Sequence, residues 1–300
     1  MVWLVYWLVA LIFIWSVGDV KARQSTPFAS IEWNETTRYV FWYNLFGLFW
    51  VNAFIIGCLQ FILAVAVCTW YFTHTADSGG SAQIYRGFKW VVRYHLGSIA
   101  FGALIIAICE FIRFLFNYYR KVMTSRLWSN KIMKCIFYTT KCLIWCINQI
   151  VKFITKHAYI QMALTSSNFC WSAWKAFVMI ISNAGRFAVA SMLGWIFLFI
   201  GKIAIIAGTV VVGYIIIENV DDIEKNISSP VFPCIIFGLI AYIVATIFLT
   251  IFSYAMDCIL QSFLVDETLA GEDNYGAHRP KTLDAFAKLK PRGHKSCYCC

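Results

Sequence analysis

Tyr94-His95-Leu96-Gly97-Ser98-Ile99-Ala100-Phe101-Gly102-Ala103-Leu104 opens a long apolar run that ends near Tyr118. Ser98 and Gly102 are four apart, as are Ala103 and Ala107, so in a helix each pair shares a face. Small residues at that spacing let backbones approach closely in lipid, where apolar side chains gain nothing by leaving hydrocarbon for one another. Glu110, seven after Ala103, falls on the Ala103/Ala107 face. A carboxylate this deep in an apolar run is costly in lipid and needs a reason. The stretch reads as a helix buried among other membrane helices.

The rest of the chain has the same character. Hydrophobic residues make up 61% of the 300 and charged residues 13%, with a mean hydropathy of +0.70. Soluble domains carry about a quarter charged residues. The apolar runs are long and continuous rather than alternating, which argues against a β-barrel. The expected class is an all-α, polytopic helical membrane protein with about six spans. Residues 1–265 form the membrane core, including a basic interfacial or re-entrant region at 118–190, and residues 266–300 form a cytosolic tail. The net charge of +10 sits between apolar runs, where Lys and Arg set topology, so nucleic acid is not an expected partner. Of the twelve cysteines, Cys58, Cys68, Cys109 and Cys258 lie in or at the ends of apolar runs, as buried thiols do. Cys297 and Cys300 at the end of the chain form the one C-x-x-C spacing, and no second pair completes four ligands, so neither a structural zinc site nor any other cofactor is expected.

In chain order, residues 2–18 carry no charge and include Trp3, Trp7 and Trp15. They reach about 25 Å as a helix, barely a bilayer core, and lack the marks of a secretory signal. They read as a span whose preceding sequence is missing. A short polar loop follows at 19–38 and holds a glycosylation sequon at Asn34. Tyr39 to Thr73 is free of charge and, at about 52 Å as a helix, must tilt, break or extend beyond the membrane. A hydrophilic connection at 74–90 leads into the opening stretch, which spans about 91–118.

Residues 118–156 hold eight cations and no acid. They read as a basic amphipathic helix at the cytoplasmic interface, where such segments bind anionic lipid. Lipidation of Cys135, Cys142 and Cys146, which share a helical face, is the sharper alternative. Residues 157–186 read as a broken span, a re-entrant pair or surface helices. Phe187 to Ile217 is apolar except for Lys202. An acidic loop follows, with a second sequon at Asn226, and Val231 to Val265 is interrupted only by Asp257.

Several stretches together resemble the choline transporter-like family across nearly all of the chain. They are Phe46-Gly47-Leu48-Phe49-Trp50 with Asn52; the opening Tyr94 to Ala103; Cys142-Leu143-Ile144-Trp145-Cys146; Ala158-Tyr159-Ile160 followed by Asn168-Phe169-Cys170; Gly201-Lys202; and Asp257 with Phe263-Leu264 and Asp266. The resemblance implies a fold of about ten spans with cytosolic termini, of which this chain is roughly the C-terminal half. Asn148 stands where the family's pattern often has an acid. The implied activity is movement of choline, in some members ethanolamine, down its electrochemical gradient. The implied location is the plasma membrane, with an organelle membrane as the alternative.

A quaternary ammonium donates no hydrogen bond and is held by aromatic faces. The candidate substrate contacts are Phe49, Trp50, Asn52 and Gln60 in the 39–73 run, Tyr94 and His95 at the head of the small-residue helix, and Tyr159 beside the broken segment. Glu110 either serves the substrate cation or pairs with Arg113. Lys202 and Asp257 are expected to pair, each compensating the other's burial. The expected partners are choline or a related small cation, the lipid bilayer, and a missing N-terminal half or a second copy of the chain. A non-transporting membrane protein that assembles with or regulates a full-length relative is the second reading. An enzyme is not expected, because the clustered acids or His pairs of metal-assisted phosphate chemistry are missing.

Overall fold

In the computed structural model the described residues are 2–17, 19–22, 29–73, 81–127, 131–219 and 229–270. Helix α1 (Val2–Ser16) is followed by a small antiparallel hairpin of β1 (Asp19–Ala22) and β2 (Ala29–Glu32), with Val20 opposite Ile31. Part of the expected polar loop is therefore a two-stranded ribbon. Helix α2 (Glu35–Thr73) then runs unbroken for 39 residues. Asn34 caps it: its side-chain oxygen accepts from Glu35 N at 2.8 Å and its carbonyl from Arg38 N at 3.1 Å. Glu35 in the first turn also suits the positive end of the helix dipole.

The opening stretch belongs to a longer helical segment than its sequence indicates. Helix α3 (Ile84–Trp90) leads through a π-helical turn, Val91–His95, into α4 (Leu96–Leu127). Residues 84–90, expected in the hydrophilic connection, are thus helical. Residues 118–127 of the expected basic amphipathic helix end α4, and residues 131–156 of it lie in helix α5 (Lys131–Thr165). Helix α5 ends at Ser166, whose φ of 53° lies in the left-handed region that helices cannot continue through. Asn168 O then accepts from Ser172 N at 2.9 Å to start α6 (Phe169–Ser182). Of the three readings of 157–186, the structure gives two helices broken at 166–168. Helix α7 (Ala184–Asn219) and helix α8 (Val231–Ala270) complete the described chain.

Among the described residues, four segments are long and apolar enough to cross a membrane: Glu35–Thr73, Ile84–Arg120, Ala184–Asn219 and Val231–Ala270. Helices α1 and α6, of 15 and 14 residues, are apolar but fall short of a bilayer core of about 30 Å. The protein is an all-α polytopic membrane protein, apart from the hairpin. Large apolar side chains such as Trp195, Phe197, Phe248 and Phe252 are exposed along α7 and α8. Lipid is the medium in which that surface costs nothing.

The chain divides into two compact units. The first holds residues 1–59, 90–159 and 168–173. Its spine is an aromatic ladder in which Trp42, Phe46 and Phe49 of α2 meet Phe111, Phe114 and Tyr118 of α4, with centroids 5.5–6.4 Å apart. Ring pairs at that separation are favourable beyond their burial.

The second unit holds residues 60–89, 160–167 and 174–300. Its core gathers Tyr71, Met179, Phe187, Leu260, Phe263 and Leu264. Around it lie buried polar contacts: Gln261 Nε2 donates to Gln161 Oε1 at 3.1 Å, and Tyr71 OH to Asp266 at 3.4 Å. Arg186 at the start of α7 pairs with Glu267 near the end of α8 at 2.6 Å, with side chains only 5% and 10% exposed. Removing one partner of such a pair strands the other charge, which costs about 3–5 kcal/mol.

Antiparallel α7 and α8 are held in register by small residues. Gly194 faces Met256, Gly201 faces Leu249, and Gly213 faces Phe237.

Candidate functional site

In the first unit, the face of α4 read from the sequence is buried: Ile99, Ala103 and Ala107 are inaccessible, and Gly102 is buried beside them. Side chains from other helices close on it. Tyr159 of α5 donates its hydroxyl to Ile99 O at 3.2 Å, and Trp50 of α2 donates Nε1 to Ala100 O at 3.2 Å. Phe169 of α6 lies 5.9 Å from the Tyr159 ring and 5.8 Å from Phe101, centroid to centroid.

Two glycines make the approach possible. A Cβ at Gly102 would lie 2.6 Å from Phe169 Cε2 and 2.7 Å from Tyr159 Oη, and one at Gly57 of α2 would lie 3.1 Å from the same hydroxyl. The result is a seam of four aromatic residues, a phenol oxygen and two glycines. None of these groups is charged. Aromatic faces with polar oxygens and no competing cation are what a quaternary ammonium needs. The rings fill the seam themselves, so a ligand entering here must displace one of them.

The other expected contacts are placed elsewhere. Phe49 is engaged by Phe111 and Phe114 in the α2–α4 ladder. Asn52 is exposed on α2, and Gln60, half-buried, belongs to the second unit. Tyr94 is 66% exposed, with the Arg93 guanidinium 5.9 Å from its ring centre, whereas His95 is buried in the π-helical turn. Such turns occur often at functional sites.

Glu110 pairs with Lys152 of α5 at 2.5 Å, and not with Arg113, the partner weighed for it. The expected Lys202–Asp257 pair is also corrected. Since Gly194 faces Met256 and Gly201 faces Leu249, Asp257 lies near the level of Gly194, eight residues from Lys202. That is about 12 Å along the helix, too far for the two side chains to meet. Lys202 Nζ instead sits 5.2 Å from the centre of the Tyr242 ring, a cation–π contact that compensates its charge.

Phe169, Phe101 and Gly57 were not among the expected contacts. Asn168-Phe169-Cys170 stands out in the sequence only through family likeness. Nothing in its spacing says that Phe169 reaches Tyr159 and Phe101 across a helix break.

A family model described as a plasma-membrane choline transporter matches residues 1–268. The chain belongs to this family. It is 32% identical over 262 residues to choline transporter-like protein 1 of Xenopus laevis, covering 87% of this chain and 39% of that protein. It is 28% identical over 291 residues to choline transporter-like protein 2 of Dictyostelium discoideum, covering 96% and 45%. It is also 30% identical over 241 residues to choline transporter-like 2 of Anopheles gambiae, covering 80% and 30%. The chain thus spans less than half the length of these relatives.

As a member of the choline transporter family, the protein places its recognisable stretches in both units. Trp50, the Tyr94 to Ala103 stretch, Tyr159 and Phe169 build the seam of the first. Phe263, Leu264 and Asp266 pack into the core and the polar contacts of the second. Among the described residues, no three His, Cys, Asp or Glu side chains gather as a metal site would require. Asn226 lies outside the described residues, as does the chain beyond residue 270.

Proposed function

We propose that this chain forms part of a facilitative path for choline, and for the related cation ethanolamine, across the plasma membrane, with the seam around Tyr159 as the substrate contact. The observation that carries the reading is the meeting of Trp50, Phe101, Tyr159 and Phe169 over the Ile99 and Ala100 carbonyls, without a charged group among them. Uncharged π faces attract a quaternary ammonium while leaving it free to depart, which a facilitative path requires. Trp50 and Tyr159 are the principal contacts. Phe49, Asn52, Gln60, Tyr94 and His95 belong to the path as secondary positions. Glu110, neutralised by Lys152, offers the substrate a polar oxygen rather than a net charge.

Labelled-choline uptake into liposomes containing the protein tests this reading. One aromatic face contributes about 0.5–2 kcal/mol to a cation, so Tyr159→Leu and Trp50→Leu are each expected to raise KM about 2- to 30-fold at equal protein content. Tyr159→Phe keeps the ring and is expected to fall near the parent. Unchanged KM in both Leu variants sinks the site. If the protein takes up no choline by itself but alters uptake by a longer relative reconstituted with it, the regulatory reading replaces this one.

A further inference from the structure

A cavity of about 280 Å³ lies between α4 and α5 in the first unit, away from the aromatic seam. Its polar lining is Arg113 and Asn117 from α4 with Tyr138 and Lys141 from α5, and Trp145 stands at its wall. It contains two cations and no acid. Glu110, one helical turn from Arg113, is already given to Lys152. Neither Arg113 nor Lys141 is in an ion pair among the described residues. Two cations facing one cleft repel each other unless an anion sits between them. The same charges exclude a choline-like cation, so this cavity is not the transport site.

Three further features define the anion. Asn117 Oδ1 is buried without a hydrogen-bond partner. An unpartnered acceptor beside two cations calls for a ligand that carries a donor next to its negative charge. The depth is that of a headgroup. The apolar segment Ile84–Arg120 ends at Arg120, so Arg113 and Asn117 lie within about two turns of its end. Tyr138 and Trp145 are 60% and 47% exposed at the cleft, as amphipathic rings are at a membrane interface. The volume is slightly below that of a drug-sized pocket, about 300–1,000 Å³, and suits a small polar group rather than a whole lipid.

We infer that this cleft binds the headgroup of an anionic phospholipid, with the phosphate between Arg113 and Lys141 and a headgroup ammonium or hydroxyl donating to Asn117. Basic pockets between membrane helices bind lipid headgroups in this way. The acyl chains remain in the bilayer. The proposal is independent of the transport reading, because its test measures lipid retention and not uptake.

The test is native mass spectrometry of the purified 300-residue protein, titrated with phosphatidylserine, phosphatidylcholine or inorganic phosphate. Phosphatidylserine is expected to be retained in preference to phosphatidylcholine. The double variant Arg113→Gln/Lys141→Gln is expected to lose about tenfold or more of that affinity, since each cation near the surface contributes about 1 kcal/mol. The charge-conserving Arg113→Lys/Lys141→Arg is expected to keep most of it, which separates loss of the site from loss of the fold. Lys134→Gln/Lys156→Gln removes the same amount of charge, from α5 outside the cleft, and is expected to bind as the parent does. An equal loss in that control would reduce the effect to diffuse attraction and overturn the site. Equal retention of phosphatidylcholine, or competition by inorganic phosphate at the same concentration as lipid, would overturn the lipid assignment.

Discussion

Gly102 is where the smallest chemical change should have a large effect. A methyl group there meets the Phe169 ring at 2.6 Å and the Tyr159 hydroxyl at 2.7 Å, and neither belongs to a long flexible chain that could swing aside. Overpacking of this kind costs about 1–3 kcal/mol. Gly97, five residues earlier on α4, has nothing within 4 Å of its Cβ position. There an alanine gains helix propensity of about 0.5–1 kcal/mol without opposition. Thermal unfolding in detergent is therefore expected to show Gly102→Ala melting below the parent and Gly97→Ala at or above it. Phe169→Leu is expected to recover part of the Gly102→Ala loss. Equal melting of the two alanine variants would mean that the seam yields freely. The sequence marks Gly102 as one of a pair of small residues and Tyr159 as an aromatic beside a break, so half of this contact was legible. The other half was not, because which ring fills the space over a glycine depends on where α5 ends and α6 begins. Glu110 teaches the same lesson. Its acid demanded a partner, but the partner is 42 positions away on another helix, beyond any local spacing rule.

At the scale of elements, helix α7 packs on α8 through glycines whose tolerance differs along one interface. At Gly213 a Cβ would stand 2.5 Å from Phe237 Cδ2, at Gly194 the nearest atom is the flexible end of Met256 at 2.8 Å, and at Gly201 it is Leu249 at 3.9 Å. Helices that associate in lipid rely on close approach rather than on hydrophobic gain, so the tightest glycine should matter most. Gly213→Ala is expected to lower the melting temperature and raise proteolysis of the α7–α8 pair, while Gly201→Ala is expected to match the parent. Phe237→Leu should suppress the Gly213→Ala defect. A Gly201→Ala defect as large as that of Gly213→Ala would show that the register is wrong. The period of small residues made these helices readable as packing helices. It could not show the register between them, and the expected Lys202–Asp257 pair failed for that reason: the register moves the acid two turns away and offers Lys202 the Tyr242 ring. The π-helical turn at 91–95 was equally hidden. One residue more per turn leaves the apolar pattern almost unchanged, and the segment therefore seemed to start at 91 rather than 84.

For the whole molecule, the number of crossings fixes which side of the membrane each sequon faces. Three of the four apolar segments long enough to span lie between Asn34 and Asn226: Glu35–Thr73, Ile84–Arg120 and Ala184–Asn219. Helix α6, at 14 residues, is too short to add a crossing. Helix α5 lies antiparallel along α4, from the Arg113–Lys141 cleft to Tyr159 at Ile99, but it carries Lys134, Lys141, Lys152 and Lys156 and is not among the apolar segments, so the count is taken without it. An odd number of crossings puts the two sequons on opposite faces, so only one can be glycosylated. The positive-inside tendency chooses between them. Arg120, Lys121, Arg126, Lys131 and Lys134 cluster where α4 passes into α5, and placing that junction in the cytosol leaves Asn34 cytosolic and Asn226 outside. The arrangement also places the C-terminal end of α8 in the cytosol and exposes the Arg113–Lys141 cleft to the leaflet that holds anionic lipid. In microsomes, glycosidase treatment is therefore expected to shift the protein by one glycan. The shift should disappear in Asn226→Gln and persist in Asn34→Gln. Two glycans would require α5 to cross the membrane with its lysines, and a glycan on Asn34 alone would invert the whole chain.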